Sequence, residues 1–337
     1  MHLVRMHPVL MHPVLMHPVL ETVLLLVCAA VVVLLLFPIV FYLRPVATSF
    51  WLRRVALRRA GFRKTKISTT VGEQVAWQGG AGPLLVLLHG AGDQAGTWYR
   101  VAPPLNQHFQ LVIPDLAGHG ESEPRTGVLS LGTLLAALEQ VLDASERRGQ
   151  SMVLVGNSLG AWISMLYAEK YPQRVKRVIL VDGGPIKGAT EIGIMPKNRE
   201  EARRAIDAVL DPSSPRRPNF VLDDLVRVSN RGPISRLLAA GEEDMSKYLL
   251  EEKLASFQVP VDLVWGASDR LVSLEYATKL QSKLPQCTLT ILERCGHGPQ
   301  LECPHKLTRV LLQLLTPDRP FTDETSHAPS RTTGEHA

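Results

Sequence analysis

The sequence predicts an α/β protein whose sheet is doubly wound and mostly parallel. Short apolar runs alternate along the chain with longer, helix-like runs, and strands separated by helices tend to pair in parallel. One interval, residues 186–257, is too long for a connecting loop and predicts an inserted helical unit. Strand-like runs lie at residues 84–88, 111–114, 152–156, 177–182, 261–265 and 288–292, with earlier strands expected within residues 62–78. Helix-like runs lie near residues 98–105, 130–148, 160–170, 274–284 and 304–315.

The chain begins with a low-complexity segment, residues 1–21. The pentapeptide Met-His-Pro-Val-Leu occurs three times in succession, at residues 6–10, 11–15 and 16–20. Three copies are too short for a stacked repeat, and the proline in each copy disfavours a stable helix. The histidines match no known metal-ligand spacing, so no metal site is predicted. We interpret the segment as an extension, which is absent if translation starts at a later codon.

Residues 22–43 predict a membrane-spanning helix. No residue from Thr22 to Leu43 is charged and most are aliphatic, and about 20 apolar residues suffice to cross a bilayer. A cleaved signal peptide is the alternative, but its apolar region is shorter and follows a basic segment, whereas only Arg5 precedes this one. The sequence therefore predicts a single-pass membrane protein.

Residues 44–66 form a basic juxtamembrane segment. They carry eight arginine and lysine residues and no acidic residue, so the net charge of +5 on the whole chain arises here. Apolar residues such as Phe50 and Trp51 interleave with the arginines, which suits a helix lying on anionic lipid. Membrane lipid is therefore a predicted partner, and nucleic acid is not. Because basic flanks tend to stay inside, the remainder of the chain is expected in the cytoplasm.

The four cysteines give no disulfide framework. Cys28 lies in the predicted span, and the other three, Cys287, Cys295 and Cys303, are expected to be free thiols in a reducing compartment. That expectation agrees with a cytoplasmic domain.

The most informative motif is the pentapeptide at residues 156–160, which follows an apolar run and opens a helix-like stretch. A strand, then Gly-x-Ser-x-Gly, then a helix is the pattern of a nucleophile elbow. The turn is so sharp that the residues two before and two after the serine must be nearly free of side chains, which Gly156 and Gly160 satisfy. Ser158 is thereby predicted to present its hydroxyl above the sheet as a nucleophile.

A serine nucleophile needs a base, and the base needs an acid that orients it. For an elbow of this kind the chain order is serine, acid, histidine. Asp269 follows the strand-like run at 261–265, and His297 follows the run at 288–292. Both are expected at the carboxyl edge of the sheet, where catalytic groups collect. Asp182 also ends a predicted strand and is the alternative acid, because geometry decides the role.

An oxyanion hole is predicted upstream, after the strand-like run at residues 84–88. The loop that follows this run consists of His89, Gly90, Ala91 and Gly92. The backbone N–H groups of Ala91 and Leu159 are expected to bind the developing oxyanion, with Gly92 as the alternative to Ala91. His89 is expected to fix the loop by hydrogen bonds.

In order and spacing, these landmarks resemble the α/β-hydrolase fold family over residues 62–315. The membrane segment makes the chain most similar to membrane-bound monoacylglycerol and carboxylesterase-type hydrolases. Residues 295–302 also resemble the carbon–carbon bond hydrolases of aromatic degradation. The landmarks are His89-Gly90, residues 115–122, residues 156–160, residues 265–269 and Gly296-His297.

The resemblance implies a serine hydrolase that cleaves carboxylic esters of a small-molecule acyl substrate, without a cofactor or metal. Carbon–carbon, thioester or amide cleavage, cofactor-free peroxidation, and a non-catalytic binding role are the alternatives, because fold alone does not fix function. The implied core comprises residues 67–185 and 258–315, with residues 186–257 as a helical lid. Residues 316–337, rich in proline, threonine, serine and charge, are expected to be a disordered tail.

Overall fold

The computed structural model describes residues 18–145, 150–188 and 193–316. Within these residues, eight strands form one sheet in the order β1-β2-β4-β3-β5-β6-β7-β8. β2 pairs antiparallel with β1 and β4, and every other neighbouring pair is parallel. The strands are β1 Arg63–Thr69, β2 Gly72–Gly79, β3 Leu84–Leu88, β4 Gln110–Pro114, β5 Met152–Asn157, β6 Val175–Val181, β7 Val261–Gly266 and β8 Thr288–Leu292.

Helices cover both faces of this sheet, so the predicted α/β fold with a mostly parallel sheet is confirmed. Short 3-10 turns lie at Ala95–Trp98, Pro172–Arg174 and Leu254–Ser256. The α-helices are α1 Pro18–Leu43, α2 Pro45–Arg59, α3 Ala102–Leu105, α4 Leu131–Ser145, α5 Leu159–Lys170, α6 Arg199–Val209, α7 Asn219–Ser229, α8 Pro233–Leu238, α9 Glu242–Ser246, α10 Leu274–Lys283, α11 Pro299–Glu302 and α12 Pro304–Leu315.

The central strand β3 shows why the sheet is buried on both sides. Leu84, Val86 and Leu88 belong to the core cluster that includes α4, α5 and α10. Leu85 and Leu87 belong to the opposite cluster, with residues of α2, α3 and α12. Side chains of a strand point alternately to its two faces, so a continuous apolar run such as this one requires a helical layer on each face.

The N-terminal helix α1 is followed directly by α2, which joins the domain. Residues 20–43 of α1 are long and apolar enough to cross a membrane, and their side chains are exposed. Thr48 and Leu57 of α2 are buried, so α2 packs on the domain. β1 begins at Arg63, within residues 62–78, where the earlier strands are expected. Most of the predicted repeats, and the predicted tail beyond residue 316, lie outside the described residues.

The predicted lid is an insertion between β6 and β7 that contains α6, α7, α8 and α9. Within the lid, α8 ends at Leu238, and Gly241 takes a φ of +86° before α9 begins. That conformation is open to glycine and breaks the helical path. Residues 189–192 of the lid lie outside the described part of the chain.

The expectation of three free thiols is wrong. Cys295 and Cys303 form a disulfide with a Cα–Cα distance of 6.0 Å, whereas Cys28 and Cys287 are free. The short helix α11 folds the chain back between the two cysteines. Their spacing alone does not reveal the pairing, because a contact across eight residues depends on that local fold.

Candidate active site

Ser158 occupies a strained turn between β5 and α5. Its φ of 54° and ψ of −116° lie in a region that side-chain-bearing residues rarely adopt. A Cβ at Gly156 would lie 2.2 Å from the carbonyl oxygen of Gly160, and one at Gly160 would lie 2.4 Å from that of Leu88. Both distances are far below contact, so the two glycines allow the turn that raises Ser158 above the sheet.

Asp269 and His297 meet at the carboxyl edge of the sheet. Asp269 follows β7 and His297 follows β8, and Nδ1 of His297 lies 2.8 Å from Oδ2 of Asp269. The other oxygen of Asp269 accepts the backbone N–H groups of Leu271 and Val272 at 2.8 and 2.9 Å. Both side chains are buried. The carboxylate is therefore held in place on one side and orients the imidazole on the other.

A buried amide network joins the histidine loop to the elbow. The side-chain amide of Asn157, the residue before Ser158, donates to the carbonyl oxygen of His297 at 3.0 Å. The amide of Gln300 in turn donates to Oδ1 of Asn157 at 3.0 Å. The described contacts contain no direct hydrogen bond between Ser158 and the ring of His297, a bond that often tightens only when substrate binds.

Asp182 lies beside this pair, as the alternative acid, at the end of β6. It is fully buried, has a φ of 50°, and accepts the backbone N–H of Gly266 on Oδ1 at 2.8 Å. Desolvation and the nearby charge of Asp269 raise the pKa of Asp182 well above its ordinary value. Burial therefore favours the neutral form of Asp182, and the carboxylate in contact with the histidine ring is that of Asp269.

The loop after β3 lies against the serine. A Cβ at Gly90 would be 3.2 Å from Cβ of Ser158, and Gly92 has a φ of +74°. Leu159 is the first residue of α5, where backbone N–H groups have no partner within the helix. Gly90 and the N-terminus of α5 are therefore both next to Ser158, and the positive end of the helix dipole favours an anion there.

His89 links this loop to the one after β4. Nε2 of His89 accepts the N–H of Leu116 at 2.9 Å, so Nδ1 carries the proton and donates to the carbonyl oxygen of Gly90 at 2.8 Å. Asp115 accepts the N–H groups of Ala95 and Glu121 at 2.6 and 2.7 Å, and so ties its own loop together.

Residues 85–310 match the alpha/beta hydrolase family. The match spans more than half of the chain and contains the elbow, Asp269 and His297. The chain belongs to the alpha/beta hydrolase family.

Several members of this family resemble the chain over most of its length. Monoacylglycerol lipase ABHD6 of Homo sapiens is 24% identical over 253 residues, which are 69% of this chain and 75% of that protein. Lipase 1 of Psychrobacter immobilis is 29% identical over 239 residues, 66% of this chain and 73% of the lipase. The crystal structure of a membrane phospholipase A, a bacterial virulence factor, has a TM-score of 0.70 and 25% identity, covering 91% of this chain and 100% of that one.

Hydrogen bonds that the sequence motifs do not predict hold the helical lid of this alpha/beta hydrolase against the core. The guanidinium of Arg236 on α8 donates to the carbonyl oxygens of Pro124, Thr126 and Gly127. The indole N–H of Trp162 donates to the carbonyl oxygen of Tyr248 at 2.8 Å. These bonds fix the lid over the carboxyl edge of the sheet.

A cavity of about 440 Å³ lies between α2, the end of α6 and the loop after β8 that contains His297. Its wall includes Leu52, Tyr99, Leu301 and Gly298, the residue after His297. Within the described residues, no group of three or more histidine, cysteine, aspartate or glutamate side chains could hold a metal ion.

Proposed function

We propose that the chain is a membrane-anchored serine hydrolase that cleaves carboxylic esters, including lipid-derived esters, through an acyl-enzyme. The observation that carries the proposal is the buried hydrogen bond between His297 and Asp269, on a loop that Asn157 ties to the residue beside Ser158. Membership of a hydrolase family, and relatives described as lipases, support ester hydrolysis.

The mechanism follows from these positions. Oγ of Ser158 attacks the ester carbonyl carbon while Nε2 of His297 accepts its proton, and Asp269 stabilises the imidazolium that results. The N–H groups of Ala91 and Leu159 bind the oxyanion. His297 then returns the proton to the departing alkoxide, which leaves an acyl group on Ser158. Water, activated by the same histidine, releases the acid and restores the serine.

Lipid-derived substrates are supported by the position of the cavity of about 440 Å³. Gly298 and Leu301 place it beside the histidine loop, and Leu52 places it beside α2, which follows the apolar helix α1 directly. An acyl ester leaving the bilayer beside α2 thus meets a cavity whose wall includes Gly298, the residue after His297. A relative whose structure covers 91% of this chain is described as a membrane phospholipase A.

The orientation of the domain in the membrane rests on two observations that disagree. The basic residues after α1 favour a cytoplasmic domain, which is the orientation we propose. The Cys295–Cys303 disulfide favours an oxidising compartment instead, because cytosolic thiols are kept reduced. The topology experiment described below distinguishes the two.

The test of the proposed function is labelling with a fluorophosphonate, which reacts with activated serines. Wild-type protein should be labelled and should hydrolyse p-nitrophenyl esters, and Ser158→Ala should lose both, with a rate at least about 10³-fold lower. Ser151→Ala is the matched control, because Ser151 is an exposed serine just before β5. Wild-type turnover in Ser158→Ala would refute the assignment, and faster cleavage of a dienoic diketone than of any ester would favour carbon–carbon hydrolysis.

A further inference from the structure

A second, smaller cavity in the lid has a strongly basic lining. Its volume is about 220 Å³, and it lies between α6, the loop before α7 and the loop after β7. The charged residues of its lining are Arg203, Arg216, Arg217, Arg270, Asp207 and Asp211. Arginines thus outnumber carboxylates at this site, although the chain outside the juxtamembrane segment is net negative.

Arg216 and Arg217 differ from Arg199 and Arg204 of the same lid in their partners. Elsewhere in the lid, Arg199 forms a two-pronged ion pair with Asp223, at 2.8 and 2.7 Å, and Arg204 pairs with Glu200 at 2.7 Å. In the described part of the chain, no carboxylate pairs with Arg216 or Arg217. Arg216 and Arg217 are exposed and are therefore available to a ligand.

The other charged groups of the lining are held by neutral partners. Arg203 donates to the side-chain oxygen of Asn219 at 2.9 Å, and Arg270 donates to the backbone carbonyl of Asp207. Hydrogen bonds from Ser213, in the same loop, and from Ser268, in the loop after β7, lower the pKa of Asp211 and satisfy its carboxylate. The site therefore retains an excess of positive charge.

The backbone holds the two available arginines in place. Arg216 and Arg217 stand between Pro215 and Pro218, and Pro218 caps α7 with a φ of −61° and a ψ of 155°. Proline fixes φ and biases the preceding residue towards an extended conformation. A ligand therefore meets a pair of guanidinium groups on a stiffened segment, at a smaller entropic cost than on a free loop.

Helix α7 connects the wall of this cavity with the C-terminal end of the apolar helix α1. The ring of Phe220 stacks on Tyr42 at a centroid distance of 5.0 Å and packs edge-on against Phe41 at 5.9 Å. One turn further, Asp224 accepts the backbone N–H of Val46 at 3.0 Å. Leu222, between these two contacts, lines the basic cavity. If α1 spans the bilayer, the arginines lie at the level of the lipid headgroups.

The basic cavity also adjoins the candidate active site. It shares Arg217 and three other lining residues with the larger cavity, which reaches Gly298. The carbonyl oxygen of Val209, at the end of α6, accepts the backbone N–H of His297 at 2.7 Å. One elongated ligand can therefore place a charged end among the arginines and an ester near the histidine loop.

We propose that Arg216 and Arg217, with Arg203 and Arg270, bind the phosphate headgroup of an anionic membrane phospholipid. This proposal rests on the proposed membrane anchor and on ester hydrolysis at Ser158. Guanidinium groups form paired hydrogen bonds with phosphate oxygens, which distinguishes phosphate from an uncharged headgroup. The site thus selects phospholipid esters over neutral glycerides.

Binding is measured on full-length Ser158→Ala protein in detergent, so that no ester is consumed. The probes are short-chain phosphatidylglycerol, the corresponding phosphate-free diacylglycerol, and inorganic phosphate. Adding Arg216→Gln and Arg217→Gln should weaken phosphatidylglycerol binding by about tenfold or more, because each arginine near an anionic headgroup contributes favourable binding free energy. Diacylglycerol binding should be equal with and without the two substitutions.

The matched control is Lys176→Gln with Arg231→Gln, which removes the same charge from exposed positions outside both the basic cavity and the juxtamembrane segment and should change phosphatidylglycerol affinity less than about twofold. Equal losses in both double variants would overturn the proposal, since they would indicate general electrostatic attraction. Inorganic phosphate that binds as tightly as phosphatidylglycerol would overturn the assignment to a lipid.

Hydrolysis of p-nitrophenyl butyrate by the wild-type protein separates this proposal from the proposed function. If the ester is hydrolysed but phosphatidylglycerol binding is insensitive to Arg216 and Arg217, the headgroup site is refuted and the hydrolase stands. If no ester is hydrolysed but binding follows the two arginines, the hydrolase is refuted and the headgroup site stands.

Discussion

Replacing Asp269 with asparagine should remove most ester hydrolysis, because its carboxylate faces the imidazolium that forms at His297. Oδ2 of Asp269 lies 2.8 Å from Nδ1 of His297, and both side chains are buried. Opposite charges with centres about 4 Å apart attract by about 4 kcal/mol at an effective dielectric constant of about 20. Losing that attraction in the transition state slows the reaction about 10³-fold. The asparagine amide also favours the wrong tautomer of histidine, which adds to the loss.

The matched substitution is Asp182→Asn, the same change in the neighbouring buried acid. Burial and the charge of Asp269 raise the pKa of Asp182 well above its ordinary value, which favours the uncharged form of this group. An amide has the same shape, can still accept the N–H of Gly266, and can donate from its other side. The loss of activity should therefore stay below about tenfold.

The assay is kcat/KM for a p-nitrophenyl ester, measured on both variants alongside a thermal unfolding curve for each. Equal melting behaviour ensures that a loss of rate reflects the site and not the fold. The reasoning fails if Asp182→Asn proves the more damaging change while both proteins remain folded. Asp182 would then orient His297, and the contact seen with Asp269 would not be the productive one.

Three further predictions concern stability and topology. The folded state keeps the proton of Asp182 above its ordinary pKa of 3.8, whereas the unfolded chain releases it. Wild-type stability should therefore fall as pH rises from about 4 towards the raised pKa, and Asp182→Asn should flatten this dependence in thermal melts at several pH values. Gly160→Ala should fail to give folded protein by circular dichroism, because its Cβ would lie 2.4 Å from the carbonyl oxygen of Leu88; a native melting curve would contradict the packing described. Protease added to intact cells should spare the domain and digest it only after lysis. Digestion in intact cells would show that the Cys295–Cys303 disulfide, and not the flanking charge, reports the orientation.

Local patterns in the sequence were enough to predict the sheet and the elbow. A short apolar run such as Leu84–Leu88 that lies between helix-like runs predicts a strand buried on both faces. The glycines at 156 and 160 are required by crowding within a five-residue turn, so their meaning is local as well. The same holds for the apolar helix α1, whose length and composition are visible without any partner.

Contacts between distant parts of the chain were not predictable in this way. Asp182 and Asp269 both follow strands and are both buried, and only the packing of β6 beside β7 decides that Asp269 contacts His297 while the pKa of Asp182 is raised. The Asn157–Gln300 bond, the Cys295–Cys303 disulfide and the grouping of Arg216 and Arg217 with Arg270 likewise join residues that no periodicity relates. Hydrophobic period and turn sterics are properties of neighbouring residues, whereas protonation state, disulfide pairing and the shape of a cavity depend on how whole elements pack.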